Sequence, residues 1–272
     1  MNNDSKILSQ INQSTSSKEN DKKSKFDEIP SINIVPQLDL SSGKVNFTAN
    51  SSGIKLTTID STNCAIVNLI LYAEKFEEYV CESEINIGLN LVSIFKILKG
   101  SKHADTISFY INKNEPTVLN IKTVNSNKKT SIESKVKILD MDEKIYNIPD
   151  ISFNSYITMP SSDFQNYILE LSNVSDIIHF KSNTKELILS AKGDFAEQQI
   201  RINESNSSLD EDEGYESGMF NVKYILLFCK SSNLCSTIEI YLKTEFPLTI
   251  LYNIANLGKI KYCLAPRKNA SV

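Results

Sequence analysis

The chain has 272 residues, of which 40% are hydrophobic, and its 29 basic and 33 acidic side chains give a formal net charge of −4. This length predicts two domains of ordinary size. The negative balance excludes a protein that is basic over its whole surface, but it allows a local basic surface. No apolar run has the length of a membrane-spanning helix, and the polar N-terminus is unlike a secretory signal. We therefore expect an intracellular protein with no membrane contact and with five reduced cysteines.

The first predicted segment, residues 1–30, is rich in Ser, Asn and Lys and has few apolar side chains. Such a segment buries too little surface to offset its ordering entropy, so it is predicted to be a disordered tail. The stretch "LTTIDSTNCAIVNLIL", residues 56–71, alternates at first and then becomes almost wholly apolar. It predicts two strands joined by a polar turn at residues 60–63.

An internal repeat begins at Asn90, where "NLVSIFKILKGSKHADTISFYINKNEPTVLNI" resembles "NVKYILLFCKSSNLCSTIEIYLKTEFPLTILY" from Asn221. No gap is needed, and every matched pair is 131 residues apart, as Asn90 and Asn221 are. The repeat predicts two copies of one domain, each with a helix followed by a β-hairpin. The matched pairs are Asn90 and Asn221, Lys99 and Lys230, Thr106 and Thr237, and Pro116 and Pro247.

Each predicted helix has an apolar face at the i, i+3, i+4 and i+7 spacing. A third helix is predicted to begin near Met159 and Pro160, because proline is tolerated at a helix start. The predicted buried faces are Leu91, Ile94, Phe95 and Leu98; Phe164, Tyr167, Ile168 and Leu171; and Val222, Ile225, Leu226 and Cys229. Most other segments alternate like short strands, for example "TISFYI", "TVLNIKTV", "IIHFK", "ELILSA" and "TIEIYL". The predicted fold class is α+β and strand-rich, with a few helices lying on sheets.

The sequence lacks catalytic and metal-binding motifs. It has no glycine-rich phosphate loop, nucleophile elbow or paired-histidine helix, and neither histidine has neighbouring ligand residues. Cys229 and Cys235 lack the second pair that a zinc site needs, and the acidic loop at residues 203–218 fails the calcium-loop spacing. Asp140 and Asp142 fit a solvated connector better than a pair of catalytic carboxylates. We predict no enzyme activity, no metal and no cofactor.

Residues 38–267 resemble the proliferating cell nuclear antigen family of DNA sliding clamps. The segments that carry the resemblance occur in the family's order and spacing: "LTTIDSTNCAIVNLIL", "FEEYVC", "IGLNLVSIFKILK", "LDMDEKIYNIPD", "MPSSDFQNYILELS" and "FPLTILYNIANLGKIKYCLAPR". The resemblance implies two topologically equivalent sliding-clamp domains per subunit, with helices that line a central channel. We assign clamp domain 1 to residues 31–138, the interdomain connector to 139–151, clamp domain 2 to 152–266 and a C-terminal tail to 267–272.

The function implied by the resemblance is that of a DNA polymerase processivity factor, which encircles duplex DNA as a homotrimeric ring. Such a clamp docks replication and repair proteins in the nucleus or at a viral replication site. The implied partners are double-stranded DNA, DNA polymerase, other proteins with a clamp-binding motif, and a clamp loader. Two alternatives stay open: a monomeric or heteromeric clamp-like processivity factor, and a clamp-derived scaffold that does not encircle DNA.

A clamp that slides must offer charge to phosphates and no groups that read bases. By resemblance the helices line the hole, and the candidate DNA contacts are Lys96, Lys99, Lys223 and Lys230. The sequence departs from the family at Asn166 and Leu169, where the family has basic residues, and residues 27–47 lack the apolar stripe of the family's first helix. We therefore expect DNA binding that is weaker than is usual for the family.

Partners of the family insert a short motif with aliphatic and aromatic anchors into a pocket beside the connector. The positions that match this pocket are Ile59, Asn63, Ile66, Tyr146, Ile148, Pro247, Cys263, Ala265 and Pro266. For Ile66, a place in the core is an equally good interpretation. Cys263 replaces a family tyrosine and Tyr146 replaces a leucine, so we expect a pocket of altered shape.

Ring closure in the family pairs edge strands of neighbouring subunits. By resemblance, the matching strands are residues 117–124 and 176–181. The family's modifiable lysine in the second domain aligns with Thr184, so we do not expect attachment at that position.

Overall fold

The computed structural model describes residues 10–11, 43–100, 105–125, 128–141, 151–153, 156–203 and 214–267. Most of these residues form short strands, and three α-helices lie among them, which confirms the predicted strand-rich α+β class. The N-terminal half contains β1 (Gln10–Ile11), β2 (Lys44–Asn50), β3 (Gly53–Ile59), β4 (Ala65–Tyr72), β5 (Ile85–Asn90), α1 (Leu91–Leu98), β6 (Asp105–Asn112), β7 (Glu115–Asn125) and β8 (Thr130–Lys137).

The C-terminal half repeats much of this arrangement. It contains β9 (Ile157–Pro160), α2 (Ser161–Ser172), β10 (Ile177–Ser182), β11 (Glu186–Lys192), β12 (Glu197–Asn203), β13 (Glu216–Asn221), α3 (Val222–Cys229), β14 (Thr237–Tyr241), β15 (Leu248–Ile254) and β16 (Gly258–Leu264). Two single 3₁₀ turns, Ala73–Lys75 and Ser232–Leu234, complete the described elements.

The internal repeat is confirmed at the level of individual residues. Helices α1 and α3 have 8 residues each, and both follow a strand that ends in an asparagine. The side chains of Asn90 and Asn221 cap the helices by accepting hydrogen bonds from the N–H groups of Ser93 at 3.1 Å and Lys223 at 2.9 Å. A β-hairpin follows each helix, β6 with β7 and β14 with β15.

The largest sheet runs through both halves of the chain. Its eight strands lie in the order β5-β2-β3-β4-β16-β15-β14-β9, and β4 pairs with β16 at the junction of the halves. Gly258 is needed there, because a Cβ at this position would lie 2.0 Å from the backbone oxygen of Ile70. The strands are antiparallel, so one face can be buried under helices while the other faces outward.

Two smaller sheets have the orders β1-β6-β7-β8 and β12-β11-β10-β13. The prediction that residues 117–124 and 176–181 form sheet edges is wrong, since they lie in β7 and β10, each of which has a partner on both sides. Among the described strands, the free edges include β8 and β12 instead. The predicted segments are apolar because central strands are buried, whereas β8 and β12 expose most of their side chains.

The helices bury the faces that their spacing predicts, with one difference. Helix α3 buries more than the predicted stripe: Tyr224 and Phe228 are also buried, whereas Leu226 is only half-buried. Phe228 stacks on Tyr262 of β16, with 4.5 Å between ring centroids, so the helix meets the sheet through a broad aromatic contact. The other predicted positions are buried or half-buried, namely Leu91, Ile94, Phe95, Leu98, Phe164, Tyr167, Ile168, Leu171, Val222, Ile225 and Cys229.

Several sequence predictions fall outside the described residues and stay predictions. They concern the N-terminal tail apart from β1, the family's first helix at residues 27–42, most of the connector, the acidic loop at 204–213 and the last five residues. Within the described ranges, no helix is long and apolar enough to cross a membrane.

Candidate DNA interface and partner-docking face

The four candidate lysines lie on α1 and α3 or at their ends. Lys96 is in the last turn of α1, Lys223 is in the first turn of α3, and both are exposed. Lys99 and Lys230 are the C-cap residues of the two helices, where a cation interacts favourably with the helix dipole. Only Lys99 and Lys230 are equivalent in the repeat, because the counterparts of the other two lysines are apolar.

The charge of these lysines is not neutralised within the part of the chain that the structure describes. The salt bridges found there involve other cations: Lys75, Lys113, Lys135, Lys192 and Arg201. Lys223 lies over the ring of Tyr224, with its Nζ 5.9 Å from the ring centroid. This contact leaves the ammonium group charged and available to an anion.

Helix α2, which packs beside α3, presents a weakly charged open face. Asn166 and Leu169 are both exposed, as the departure from the family pattern predicts, and Leu169 is 47% exposed. Glu170 is also exposed, and its Oε1 accepts a hydrogen bond from Gln198. The described helices therefore provide lysines on α1 and α3 but none on α2.

Strand register brings four side chains into one line on the large sheet, which we name the docking row: Ile59, Ile66, Cys263 and Thr249. Ile59 pairs with Ile66, Ile66 pairs with Cys263, and Cys263 pairs with Thr249. Neighbouring residues on a strand point to opposite faces. Because Val67 belongs to the buried core, the docking row lies on the other face of the sheet, away from the helices.

The docking row is more open at its β3–β4 end. Ile59 and Ile66 are half-buried, whereas Cys263 and Thr249 are buried. The location of Ile66 decides whether this residue belongs to the pocket or to the core, which the sequence left open. Ile66 lies on the face of the sheet away from the helices, so it is not part of the core that packs between sheet and helices. Burial raises the pKa of the Cys263 thiol, and the hydroxyl of Thr249 lies 3.6 Å from its sulfur, so Cys263 is a neutral, compact side chain at neutral pH.

The other matched positions surround this row. Asn63 is exposed at the tip of the β3–β4 turn, in the left-handed conformation with φ of 56°. Pro247 directly precedes β15 and is half-buried. Ala265 is exposed, and its N–H donates to the oxygen of Cys64 at 2.8 Å. Pro266 is half-buried. Tyr146 and Ile148 lie outside the described residues.

Sequence reasoning missed two members of this face. Thr249 belongs to the docking row, and Tyr241 on β14 pairs with Thr249, which extends the line to a fifth strand. The rings of Phe153 and Tyr156 each lie 5.2 Å from the ring of Tyr241. The alternating pattern of β14 and β15 was a signal for which face each residue occupies, but not for which strands are neighbours.

The described residues contain no group of three or more His, Cys, Asp or Glu side chains that could hold a metal ion. His179 is half-buried on β10, where burial and the nearby charge of Lys181 lower the pKa of its imidazole. The surfaces described above are a charged helix surface and an apolar sheet face.

Family models match nearly the whole described chain. The model of the proliferating cell nuclear antigen N-terminal domain matches residues 38–145, and that of its C-terminal domain matches residues 147–267. The chain belongs to the proliferating cell nuclear antigen family. Its internal repeat corresponds to the two matched domains of that family, which we now call domain 1 and domain 2.

Individual relatives agree with this assignment. The chain is 31% identical over 222 residues to a probable DNA polymerase sliding clamp 1 of Paramecium bursaria Chlorella virus 1, covering 79% of this chain and 84% of that protein. It is 30% identical over 229 residues to the proliferating cell nuclear antigen of Chaetomium thermophilum, covering 82% of this chain and 88% of the relative. The resemblance therefore extends across both domains.

Proposed function

We propose that this protein, a DNA sliding clamp and polymerase processivity factor of the proliferating cell nuclear antigen family, works as a ring of three identical chains. The observation that carries the proposal is the pair of unlike free edges, β8 in domain 1 and β12 in domain 2. When two different surfaces of one chain bind each other head to tail, repetition gives either a closed ring or an open filament. A ring is the form that can stay on DNA without binding any sequence.

The free edges carry apolar side chains that favour a partner. Ile132 on β8 is 64% exposed, and Phe195, in the turn before β12, is 77% exposed. An edge strand also leaves N–H and C=O groups unpaired, and a neighbouring strand satisfies them. Pairing of β8 with β12 of the next chain would continue the sheet and cover both apolar side chains.

DNA contact is assigned to Lys96, Lys99, Lys223 and Lys230. Ammonium groups on flexible stems attract phosphates of any sequence, which suits a protein that must move along the duplex. The net charge of −4 means that acidic groups elsewhere offset this local basic surface. Since α2 has no lysine, we expect retention on DNA to depend more on ring closure than on tight binding.

The docking row and its surroundings are assigned to partners such as DNA polymerase, other proteins with a clamp-binding motif, and a clamp loader. An apolar patch rimmed by polar groups is the kind of surface on which a peptide with aliphatic and aromatic anchors gains most of its binding energy. Cys263 is smaller than tyrosine, so the preferred motif would fill more space at this point. We expect no catalysis by this chain, and we place its action in the nucleus or at a viral replication site.

Topology on DNA tests the proposal directly. The protein would be loaded on nicked circular DNA, which is then either left circular or cut once with a restriction enzyme. A closed ring stays on circular DNA at high salt and is lost from the cut molecule. Equal loss from both forms, together with a solution mass of one chain, would instead indicate a monomeric factor that binds through one basic face. Stable partner binding without any DNA retention would indicate a scaffold.

A further inference from the structure

The turn between β3 and β4 is folded around one buried carboxylate. Asp60 is 3% exposed. Its Oδ1 accepts hydrogen bonds from the N–H groups of Cys64 and Ala65, each at 2.7 Å. Its Oδ2 accepts from the N–H of Thr62 at 3.1 Å and also from the Thr62 hydroxyl. The turn therefore supplies four donors to its own carboxylate, which fixes the path of its backbone.

A fifth donor comes from the other domain. The hydroxyl of Tyr224 on α3 donates to Oδ2 of Asp60 at 3.0 Å, and it lies 2.7 Å from Oγ1 of Thr62. Tyr224 is 8% exposed and packs within the main apolar core. The position of its hydroxyl is therefore set by the packing of α3 and not by the turn.

We propose that Tyr224 is a positioning residue that holds the partner-docking turn from the neighbouring domain. The proposal rests on the docking function proposed above, because the turn joins Ile59 to Ile66 and presents Asn63 at its tip. A displacement of Asp60 would move the ends of β3 and β4 together. The shape of the docking row at its open end then depends on a hydrogen bond to α3.

The chemistry of the carboxylate supports this role. Burial by itself raises the pKa of Asp60, but hydrogen bonds from Thr62, the backbone and Tyr224 outweigh it and lower the pKa below the usual value. The group is therefore ionised at neutral pH, and a buried anion needs each of its donors. Without the Tyr224 hydroxyl, the carboxylate must turn toward water or another donor, and its bonds to Cys64 and Ala65 loosen.

The same hydrogen bond connects the two binding surfaces. Tyr224 directly follows Lys223, one of the proposed DNA contacts, and the Lys223 ammonium lies over its ring. A change in α3 on DNA would therefore reach the docking turn through one side chain. Tyr224 thus connects the turn that is proposed to bind peptides with the helix that is proposed to face DNA.

The test compares Tyr224→Phe, Thr62→Val and a matched control, Tyr79→Phe, in the full-length protein. Tyr79 also has a partly buried hydroxyl, which donates to the backbone oxygens of Asn50 at 2.7 Å and Gly53 at 2.9 Å, away from the turn. Two readouts are needed. Amide hydrogen exchange is followed at Cys64 and Ala65, and binding is measured by fluorescence anisotropy with a labelled synthetic peptide that carries one aliphatic and two aromatic anchors.

We expect Tyr224→Phe to speed exchange at both amides by about tenfold and to weaken peptide binding by about five- to tenfold. Thr62→Val should act in the same direction. The effect of the double variant on exchange and on peptide affinity should be smaller than the sum of the two single effects, because the two hydroxyls share one carboxylate. Tyr79→Phe should lower the melting temperature without changing peptide affinity. This separation distinguishes positioning from a general loss of stability.

Unchanged exchange at Cys64 and Ala65 in Tyr224→Phe would overturn the inference. Faster exchange with unchanged peptide affinity would also overturn it, because peptide docking would then not need the hydrogen bond from Tyr224 to the turn. Failure of the wild-type protein to bind the peptide would overturn the docking site itself, and the inference with it. The outcomes therefore distinguish the case in which Tyr224 does not position the turn from the case in which the proposed docking function itself is wrong.

Discussion

Phe195 offers the sharpest test of ring assembly through the free edges. It lies between β11 and β12 and, at 77%, is the most exposed of the large hydrophobic side chains that the structure describes. An isolated chain gains nothing from such a side chain, whereas a neighbouring subunit on β12 would cover it. Replacing Phe195 with serine removes the apolar surface and changes no charge.

The expected size of the effect follows from the exposed area. A buried phenylalanine covers about 150–250 Å², and 77% of the side chain is accessible in the single chain. At about 25 cal/mol per Å², full burial would contribute about 3–5 kcal/mol to each interface, as an upper limit. We therefore expect Phe195→Ser to weaken subunit association by between about a hundredfold and a few thousandfold.

Sedimentation velocity over a wide concentration range measures this change. The wild-type protein should sediment as three chains of 30.6 kDa each, and the variant should dissociate as it is diluted. Leu169→Ser is the matched control, because Leu169 is also exposed but lies on α2 and on neither edge strand. It should leave the mass unchanged.

Two results would contradict this expectation. If Phe195→Ser kept the wild-type mass at every concentration, the side chain would not lie in the interface. If the wild-type protein itself sedimented as a single chain, the ring would be absent, and the exposed edges would need another partner.

Further predictions concern DNA binding, packing and pH. Lys99→Ala and Lys230→Ala should each reduce the magnitude of the slope of log DNA affinity against log salt concentration by up to about 0.9, which is the contribution of one neutralised phosphate. Fluorescence anisotropy with labelled DNA measures this slope, and an unchanged slope contradicts the assigned contacts. Phe228→Ala should reduce the free energy of unfolding by about 3–5 kcal/mol in urea titrations, because the ring is fully buried against Tyr262, and a reduction below about 1 kcal/mol would argue against this packing. Asp60 has a lowered pKa, so its ionised form stabilises the fold above the ordinary carboxyl pKa, and this contribution disappears as pH falls through the folded-state pKa. The stability difference between wild type and Asp60→Asn should therefore shrink below about pH 4, and a constant difference would contradict the assignment.

The sequence was sufficient to predict the helices, the repeat and the two domains, because the signals for them are local. The apolar spacing defined α1, α2 and α3, and Asn90 and Asn221 recur at the same place before a helix. Strand order was not predictable in the same way. Alternation shows which face a residue occupies but not which strand lies beside it. The edges were therefore assigned from the family resemblance alone, and this assignment fell on the central strands β7 and β10 instead of β8 and β12.

The docking surface shows the same division between local and distant signals. Ile59 and Ile66 were found because the resemblance matches them to positions of the family's pocket, whereas Thr249 and Tyr241 join them only through the pairing of strands far apart in sequence. Tyr224 meets Asp60 across a separation of 164 residues, and nothing in the residues around either one indicates the contact. Such contacts depend on how the two domains pack against each other, and no short stretch of sequence contains that information.

The pairing of β4 with β16 bears on how a ring could admit DNA. Seven matched residue pairs, from Ala65 with Leu264 to Leu71 with Gly258, tie the two domains of one chain together. Separating the two domains would break the backbone hydrogen bonds between β4 and β16 and would expose core side chains of both domains. Separating two chains would break only the proposed contact between the edge strands β8 and β12. In the proposed ring, an opening that admits the double helix would therefore lie between two subunits, and each subunit would move as one stiff segment while the DNA passes.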